Sequence, residues 1–279
     1  MEFISNARER LSRRDARAMM RWCCILFCLW LSLAASAQQP PDDPSANPGR
    51  PTVSTPATLT PVGYLQFETG YLYANHSPEF SSQSSFNEVV KLAVARRLQL
   101  LVGAGPFAHS VVDGQSGNGT GGVSLGAQGI VSMGEGARPT IALSYFRSVY
   151  GGDTPDLDIG SSLNSALLLL SADVKGFHYD TNYIFNDVSE DSVHRMQFGQ
   201  TLSVSHALTG KFSLSGEIWR FSQPFLRSNA VGNLWALNYN VNKDLVLDGG
   251  FNRGLTSTST RWEVFVGFTW LLPHRVLPH

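Results

Sequence analysis

The chain has 279 residues and a formal net charge of −1, with 15% charged residues, 26 glycines, 16 Phe, 8 Tyr and 6 Trp. This balance gives no electrostatic basis for nucleic-acid binding, and the chain is too polar for a helical membrane protein. Cys23, Cys24 and Cys28 are the three cysteines, so the chain beyond residue 30 has neither a disulfide nor a cysteine nucleophile.

The first 37 residues have the pattern of a secretory signal peptide. An arginine-rich start precedes an apolar segment from Trp22 to Ala35, and Ala35-Ser36-Ala37 supplies the small-residue cleavage site. The apolar segment, about 14 residues, is short of the roughly 20 that a spanning helix needs. We predict export and cleavage near Ala37. Met19 or Met20 could also start a signal of ordinary length, which would make residues 1–18 a start-site misassignment.

Residues 38–62 are rich in Pro, Ser, Thr and Asp and have no apolar period. Such a composition predicts a periplasmic tail or linker. The alternative is that this stretch folds back as a plug, which its few apolar side chains do not favour.

From residue 63 onward, polar and apolar residues alternate with period two. Phe177–Asn186 has Phe, Tyr, Thr, Tyr and Phe at odd positions and mostly polar residues at even ones, as in a strand with one apolar face. No helical pattern supplies a layer to cover that face, so we predict an all-β, transmembrane up-and-down antiparallel β-barrel over residues 63–272, with residues 273–279 as a tail. The twelve predicted strands lie near 63–74, 85–95, 98–106, 121–133, 139–149, 164–173, 177–186, 195–205, 212–221, 231–241, 245–254 and 262–272.

The connections between these strands alternate between tight and long. Val174-Lys175-Gly176 is one of the tight turns, whereas 106–120 and 149–163 are long and polar. If the N-terminus lies in the periplasm, every tight turn falls on the periplasmic side and every long loop outside, as in outer-membrane barrels.

The alternation also assigns faces. Trp262 and Trp270 lie at the two ends of the last strand, where interfacial aromatic residues belong, and their side chains would face lipid. Both signs of charge occur on the opposite face, so charge pairing across the lumen is feasible. The lumen-lining candidates are Glu68, Lys91, His178, Asp180, Asn182, Arg195, Glu217, Asp248 and Glu263.

Two catalytic patterns fail on context. Gly117–Gly122 satisfies G-x-G-x-x-G but neither follows a buried strand nor opens a helix, and Ser124 in G-x-S-x-G continues an alternating strand instead of forming a nucleophile elbow. His178 and Asp180 share a face, which a lumenal hydrogen-bond network explains. We therefore predict no catalytic, cofactor-binding or metal site and no cofactor. An outer-membrane hydrolase is the least favoured alternative.

Two segments carry a family resemblance. Arg50-Pro51 followed by Thr60–Tyr71, and later Leu247–Leu255 with Trp262–Trp270, resemble the outer-membrane family named for the MetA pathway of phenol degradation. Thr52 stands where that family usually has an acidic residue. The resemblance implies a barrel with a transport role for aromatic or other small compounds, and it supplies no catalytic residues.

Together these features predict a channel in the bacterial outer membrane for small solutes, aromatic or hydrophobic ones among them. The alternative is a structural or surface-exposed barrel with a filled lumen and no flux. The predicted partners are outer-membrane lipid, a small-molecule solute and the outer-membrane assembly machinery.

Overall fold

The structure, a computed structural model, describes residues 44–153, 162–190 and 192–277. The predicted signal peptide and most of the predicted loop 149–163 lie outside these residues. Thirteen antiparallel strands occur within them: β1 Leu65–Asn75, β2 Ser82–Ala95, β3 Leu98–Val112, β4 Gln115–Gly119, β5 Val123–Ser132, β6 Thr140–Tyr150, β7 Asn164–Val174, β8 Phe177–Glu190, β9 Val193–Thr209, β10 Phe212–Gln223, β11 Ser228–Asn240, β12 Leu245–Gly254 and β13 Trp262–Leu271.

Twelve of the strands close into a barrel, which confirms the predicted fold. Each strand pairs with its sequence neighbours, except that β3 pairs with β5 across the short β4, and the ring closes where β1 pairs with β13. β4 pairs only with β3. No helix long and apolar enough to cross a membrane occurs in the described ranges.

The barrel has two distinct ends. The end that carries the β2–β3, β5–β6, β7–β8, β9–β10 and β11–β12 connections, here called the turn end, also holds the start of β1 and the end of β13. The opposite end, here called the loop end, carries the other connections. Lys175 and Gly176 both have positive φ, so they form the two-residue hairpin turn that suits antiparallel strands at the turn end.

Two predicted loops at the loop end are largely strand. Residues 106–112 continue β3, and Asp113-Gly114, both with positive φ, turn the chain directly into β4. β8 extends to Glu190 and β9 begins at Val193, so most of the predicted loop 187–194 is strand. The sequence placed the ends of these strands too early because the polar composition of the hairpins is typical of loops. In the structure, cross-strand pairing extends the strands through them.

The strands alternate between an outward and an inward face. In β13 the outward Val264 and Val266 are 53% and 56% exposed, whereas the inward Phe265 is 5% exposed. Trp262 and Trp270 face outward at the two ends of the same strand. They are about 27 Å apart along the strand, or about 20 Å in height for a strand tilted by about 40°, close to the height of a lipid-facing apolar band.

A charge at the middle of this band should destabilise the barrel. Val266→Arg lies midway between the two tryptophans and should lower the free energy of unfolding in lipid vesicles by about 2–4 kcal/mol, because the guanidinium would lie in hydrocarbon. Leu245→Arg, outward at the level of Trp270, should cost about 0–1 kcal/mol. Urea titration of the two purified variants measures both values, and equal losses would contradict the position of the band.

Candidate functional site: the lumen and its internal segment

Residues 44–62, here called the luminal segment, lie inside the barrel. Both ends are fixed at the turn end: Ala46 N donates to Lys243 O at 2.8 Å, and Gly63 N donates to Ala93 O at 2.8 Å. Between these points the segment hydrogen-bonds with inward side chains of β1, β3, β5, β7, β8, β9, β10 and β12. A single short segment that contacts walls all around the ring lies across the lumen.

The position of this segment differs from the favoured expectation of a periplasmic tail for residues 38–62. In the described part, 44–62, it matches the alternative that the stretch folds back into the barrel. The argument from few apolar side chains failed because the segment is held mainly through its backbone amides and carbonyls. Every buried backbone group needs a hydrogen-bond partner, and here polar wall side chains supply it.

Glu217 on β10 holds the middle of the segment. Its carboxylate accepts hydrogen bonds from Val53 N at 2.7 Å, from Ser54 N at 2.7 Å and from Ser54 Oγ at 2.6 Å. Ser54 Oγ also lies 2.8 Å from Thr201 Oγ1 on β9. Glu217 is 5% exposed, so three donors replace the water that its carboxylate loses on burial.

Arg50 fills a notch in the wall formed by β1 and β13. Gly70 and Gly267 face each other across β1 and β13, and a Cβ on either would lie within 3 Å of the Arg50 guanidinium. The guanidinium reaches Asp248 on β12 with two bonds, Nη2–Oδ1 at 3.1 Å and Nε–Oδ2 at 3.3 Å. Because glycine has no side chain, Gly70 and Gly267 leave the space in which Arg50 forms a bidentate ion pair with Asp248.

The start of the segment is bound by Gln66 and Glu68 on β1. Glu68 Oε1 accepts from Gly49 N at 2.8 Å and from Lys91 Nζ at 2.6 Å. Gln66 pairs with the backbone of Asn47 in both directions, because Asn47 N donates to Oε1 and Nε2 donates to Asn47 O, each at 2.8 Å. The Glu68 charge is therefore balanced by a lysine on the neighbouring strand.

The rest of the segment is held by neutral groups. Asn182 on β8 accepts from Thr55 N at 2.6 Å and donates to Thr55 O at 2.9 Å, as a neighbouring strand would. Gln99 Oε1 on β3 accepts from Thr60 N at 2.9 Å. Further contacts come from Ser171 Oγ to Ala57 N at 2.7 Å and from Gln128 Nε2 to Pro56 O at 3.0 Å.

Apolar side chains surround Val53 near mid-height. One cluster comprises Leu72, Leu234, Ala236 and Phe265, and a second comprises Ile184, Trp219, Phe221 and Ala230; Val53 packs against both. A third cluster forms around Ala57 of the segment. Trp219 Nε1 donates to Asn252 Oδ1 at 2.9 Å, which satisfies its polar atom inside the apolar layer. The lumen is therefore polar toward the turn end and apolar near its middle.

A cavity of about 240 Å³ lies between the segment and the wall near the turn end. His178 lines it and contacts two carboxylates, Asp173 at 2.8 Å and Asp180 at 3.2 Å. Asp180 Oδ1 also accepts a hydrogen bond from Ser171 Oγ. The next three strands of the ring, β9, β10 and β11, line the cavity with hydroxyls and amides: Ser203, Ser205, Ser213, Ser215, Asn238 and Asn240.

Three of the inward carboxylates have local partners. Glu68 pairs with the adjacent Lys91, while Glu217 and Asp248 bind the segment, so the central charges are satisfied locally. Arg195 lies at the loop end, where Nη1 donates to Pro224 O at 2.7 Å and the guanidinium stacks 4.8 Å over Phe225. Glu263 is inward and partly buried near the same end.

Sequence reasoning missed Gln99, Ser171 and Thr201 as partners of the segment. All three lie at inward positions of predicted strands. The period-two alternation therefore predicts that their side chains face the lumen, but it does not predict that they bind the luminal segment.

The patterns weighed for catalysis lie in strand and turn. Ser124 is a residue of β5, and Gly117–Gly119 belong to β4. Among the described residues, no group of three or more His, Cys, Asp or Glu side chains is arranged to hold a metal ion.

The fold is that of a closed twelve-stranded barrel, and three solved structures are similar to it. An outer membrane channel from Pseudomonas putida F1 has a TM-score of 0.55 at 14% identity, over 84% of this chain and 100% of that chain. The NanC porin has a TM-score of 0.51 at 11% identity, and the KdgM porin 0.50 at 10%, each over 74% of this chain and 98% of the other. At these identities the likeness concerns the fold.

No protein-family profile matches the chain, and no characterised protein is detectably similar in sequence. The resemblance to the phenol-degradation family therefore stays a prediction.

Removing the Glu217 charge should loosen the middle of the luminal segment. Glu217→Gln turns one acceptor oxygen into a donor that faces backbone N–H groups, so amide exchange at Val53 and Ser54 should accelerate on the order of tenfold or more. Glu88→Gln makes the same chemical change on the outward face and should leave these amides unaffected. Hydrogen exchange measured by mass spectrometry tests this prediction. Unchanged exchange at Val53 and Ser54 in Glu217→Gln would show that the Glu217 carboxylate does not hold the luminal segment.

Proposed function

We propose that the protein is an outer-membrane channel for small solutes whose luminal segment controls passage. The observation that carries this proposal is that the part of the wall in contact with the luminal segment contains buried charged side chains. A barrel filled only for stability gains most from apolar packing, because buried charges are costly to desolvate. Here Glu68, Lys91, Asp180, Glu217 and Asp248 are all buried in the turn-end half. With the segment displaced, the same groups would line a hydrated passage.

Membrane placement has its own support. The outward face carries exposed apolar residues between Trp262 and Trp270, as a lipid-facing band does. The predicted signal peptide agrees with export, and solved structures of similar fold are named as an outer membrane channel and porins. In this placement the turn end faces the periplasm and the loop end faces outside.

The apolar layer near Val53 suggests the class of solute. Leu72, Leu234 and Phe265 face inward at this level, directly above the polar half of the lumen. A solute that crosses both regions gains from having a polar group and an apolar or aromatic portion. This agrees with the aromatic solutes that the family resemblance implies.

A structural barrel without flux is the second candidate. The specific observation in its favour is that the lumen is filled: Val53 joins two apolar clusters, and the segment makes hydrogen bonds all around the wall. The two candidates differ in whether the segment leaves the lumen in the native barrel.

A liposome swelling assay distinguishes the channel from the structural barrel. A chain lacking residues 38–60 should admit L-phenylalanine several-fold faster than the full chain does, because a twelve-stranded barrel is wider than the eight-stranded barrels that side chains fill. L-glutamine carries the same charges without an aromatic ring, and we expect it to enter more slowly than phenylalanine through both forms.

The full chain should itself swell liposomes above the level of empty vesicles. If only the truncated chain does so, the structural candidate is favoured. If glutamine enters as fast as phenylalanine, the proposed solute class is wrong even though a channel exists.

A further inference from the structure

A groove of about 280 Å³ lies on the outer surface at the loop end, where β1 pairs with β13. Its wall toward the middle of the barrel is apolar: Tyr73, Trp262 and Val264 are 39%, 43% and 53% exposed. The wall toward the loops is polar and basic, formed by Asn75, His76 and Arg261. These six residues are here called the rim groove.

Arg261 supplies one guanidinium group to the rim groove, and a second, that of Arg253, contacts the groove residue Trp262. Arg253 on β12 is paired in register with Trp262, and its guanidinium lies 4.2 Å over the indole ring. Arg261 N donates to His76 O at 3.0 Å, so the β12–β13 connection is tied to the β1–β2 connection. Neither guanidinium forms an ion pair with a carboxylate of the described residues.

The acidic residues nearby lie outside the lining of the groove. Glu263 follows Trp262 in β13 and therefore faces the lumen. Glu79 is the one acid of the β1–β2 connection and is not part of the groove lining. The groove therefore combines an exposed apolar floor with a basic rim.

We propose that the rim groove binds the headgroup of a phosphate-bearing lipid in the surrounding leaflet. Guanidinium groups suit phosphate because their paired N–H donors match its oxygens. Trp262 marks the membrane–water interface, so a headgroup held by Arg253 and Arg261 would place its acyl chains on Tyr73 and Val264. A free phosphate ion would use only the basic rim and leave the apolar floor bare, which is why the lipid is the occupant.

This inference rests on the proposed placement of the barrel in a membrane and is independent of conduction. It is tested with the full chain in detergent micelles, by counting bound molecules of diphosphoryl lipid A with native mass spectrometry. The wild-type chain should retain one molecule. The double variant Arg253→Gln/Arg261→Gln should bind it about tenfold or more weakly, since two charge-assisted contacts are lost.

Three comparisons make the outcome specific. Arg220→Gln removes a guanidinium from the same end of the barrel, where it bonds Asn229 at 2.8 Å, and should leave binding unchanged. Dephosphorylated lipid A should bind weakly to every form, and millimolar inorganic phosphate should not displace the phosphorylated lipid.

Each reverse result overturns part of the inference. If Arg220→Gln loses as much lipid A binding as the double variant, binding is a general attraction to positive charge. Equal binding of the dephosphorylated lipid removes the role of phosphate, and displacement by inorganic phosphate makes the free ion the occupant. Unchanged binding by the double variant means that the lipid sits elsewhere. Heat-modifiable migration on gels shows that each variant is folded.

Discussion

The organisation of this lumen depends on the need of a buried backbone for hydrogen-bond partners. The luminal segment contains five prolines in residues 44–62, at positions 44, 48, 51, 56 and 61, and forms neither helix nor sheet, so its amides and carbonyls cannot satisfy one another. Inward side chains of the barrel wall supply the hydrogen-bond partners instead. Asn182 binds both backbone groups of Thr55, and Glu217 binds the amides of Val53 and Ser54. Removing such a partner leaves an unpaired polar group, which costs about 1–3 kcal/mol.

The same contacts explain why charges are buried inside the barrel. A desolvated carboxylate is costly unless a cation or several donors face it. Lys91 and Arg50 supply the cations for Glu68 and Asp248, and three donors from the segment serve Glu217. The partners of Asp248 and Glu217 belong to the segment, whereas Lys91 is a wall residue that stays beside Glu68 without it. Departure of the segment would require water to enter the lumen, so the position of the segment and the hydration of the passage are linked.

The sequence predicted the barrel because period-two alternation is a local signal. It set the number of barrel strands and the direction of Glu217, Asn182 and Trp270. It did not reveal where residues 44–62 lie, because inward polar side chains look the same whether they face water or a backbone. Arg50 and Asp248 are separated by 198 positions, and no local pattern connects them. The notch at Gly70 and Gly267 was also hidden, since glycine in a strand has several explanations.

A reversible lock on the luminal segment tests the central claim most directly. Ser54 Oγ and Thr201 Oγ1 are 2.8 Å apart, so Ser54→Cys/Thr201→Cys can form a disulfide. Cleavage near Ala37 would remove Cys23, Cys24 and Cys28, so the two new cysteines would have no other cysteine to pair with. Single-channel recording in planar bilayers should show closed barrels under oxidising conditions and conductance restored to the parent level after reduction. Equal conductance in the oxidised and reduced states, with the disulfide verified by mass spectrometry, would contradict control of passage by this segment.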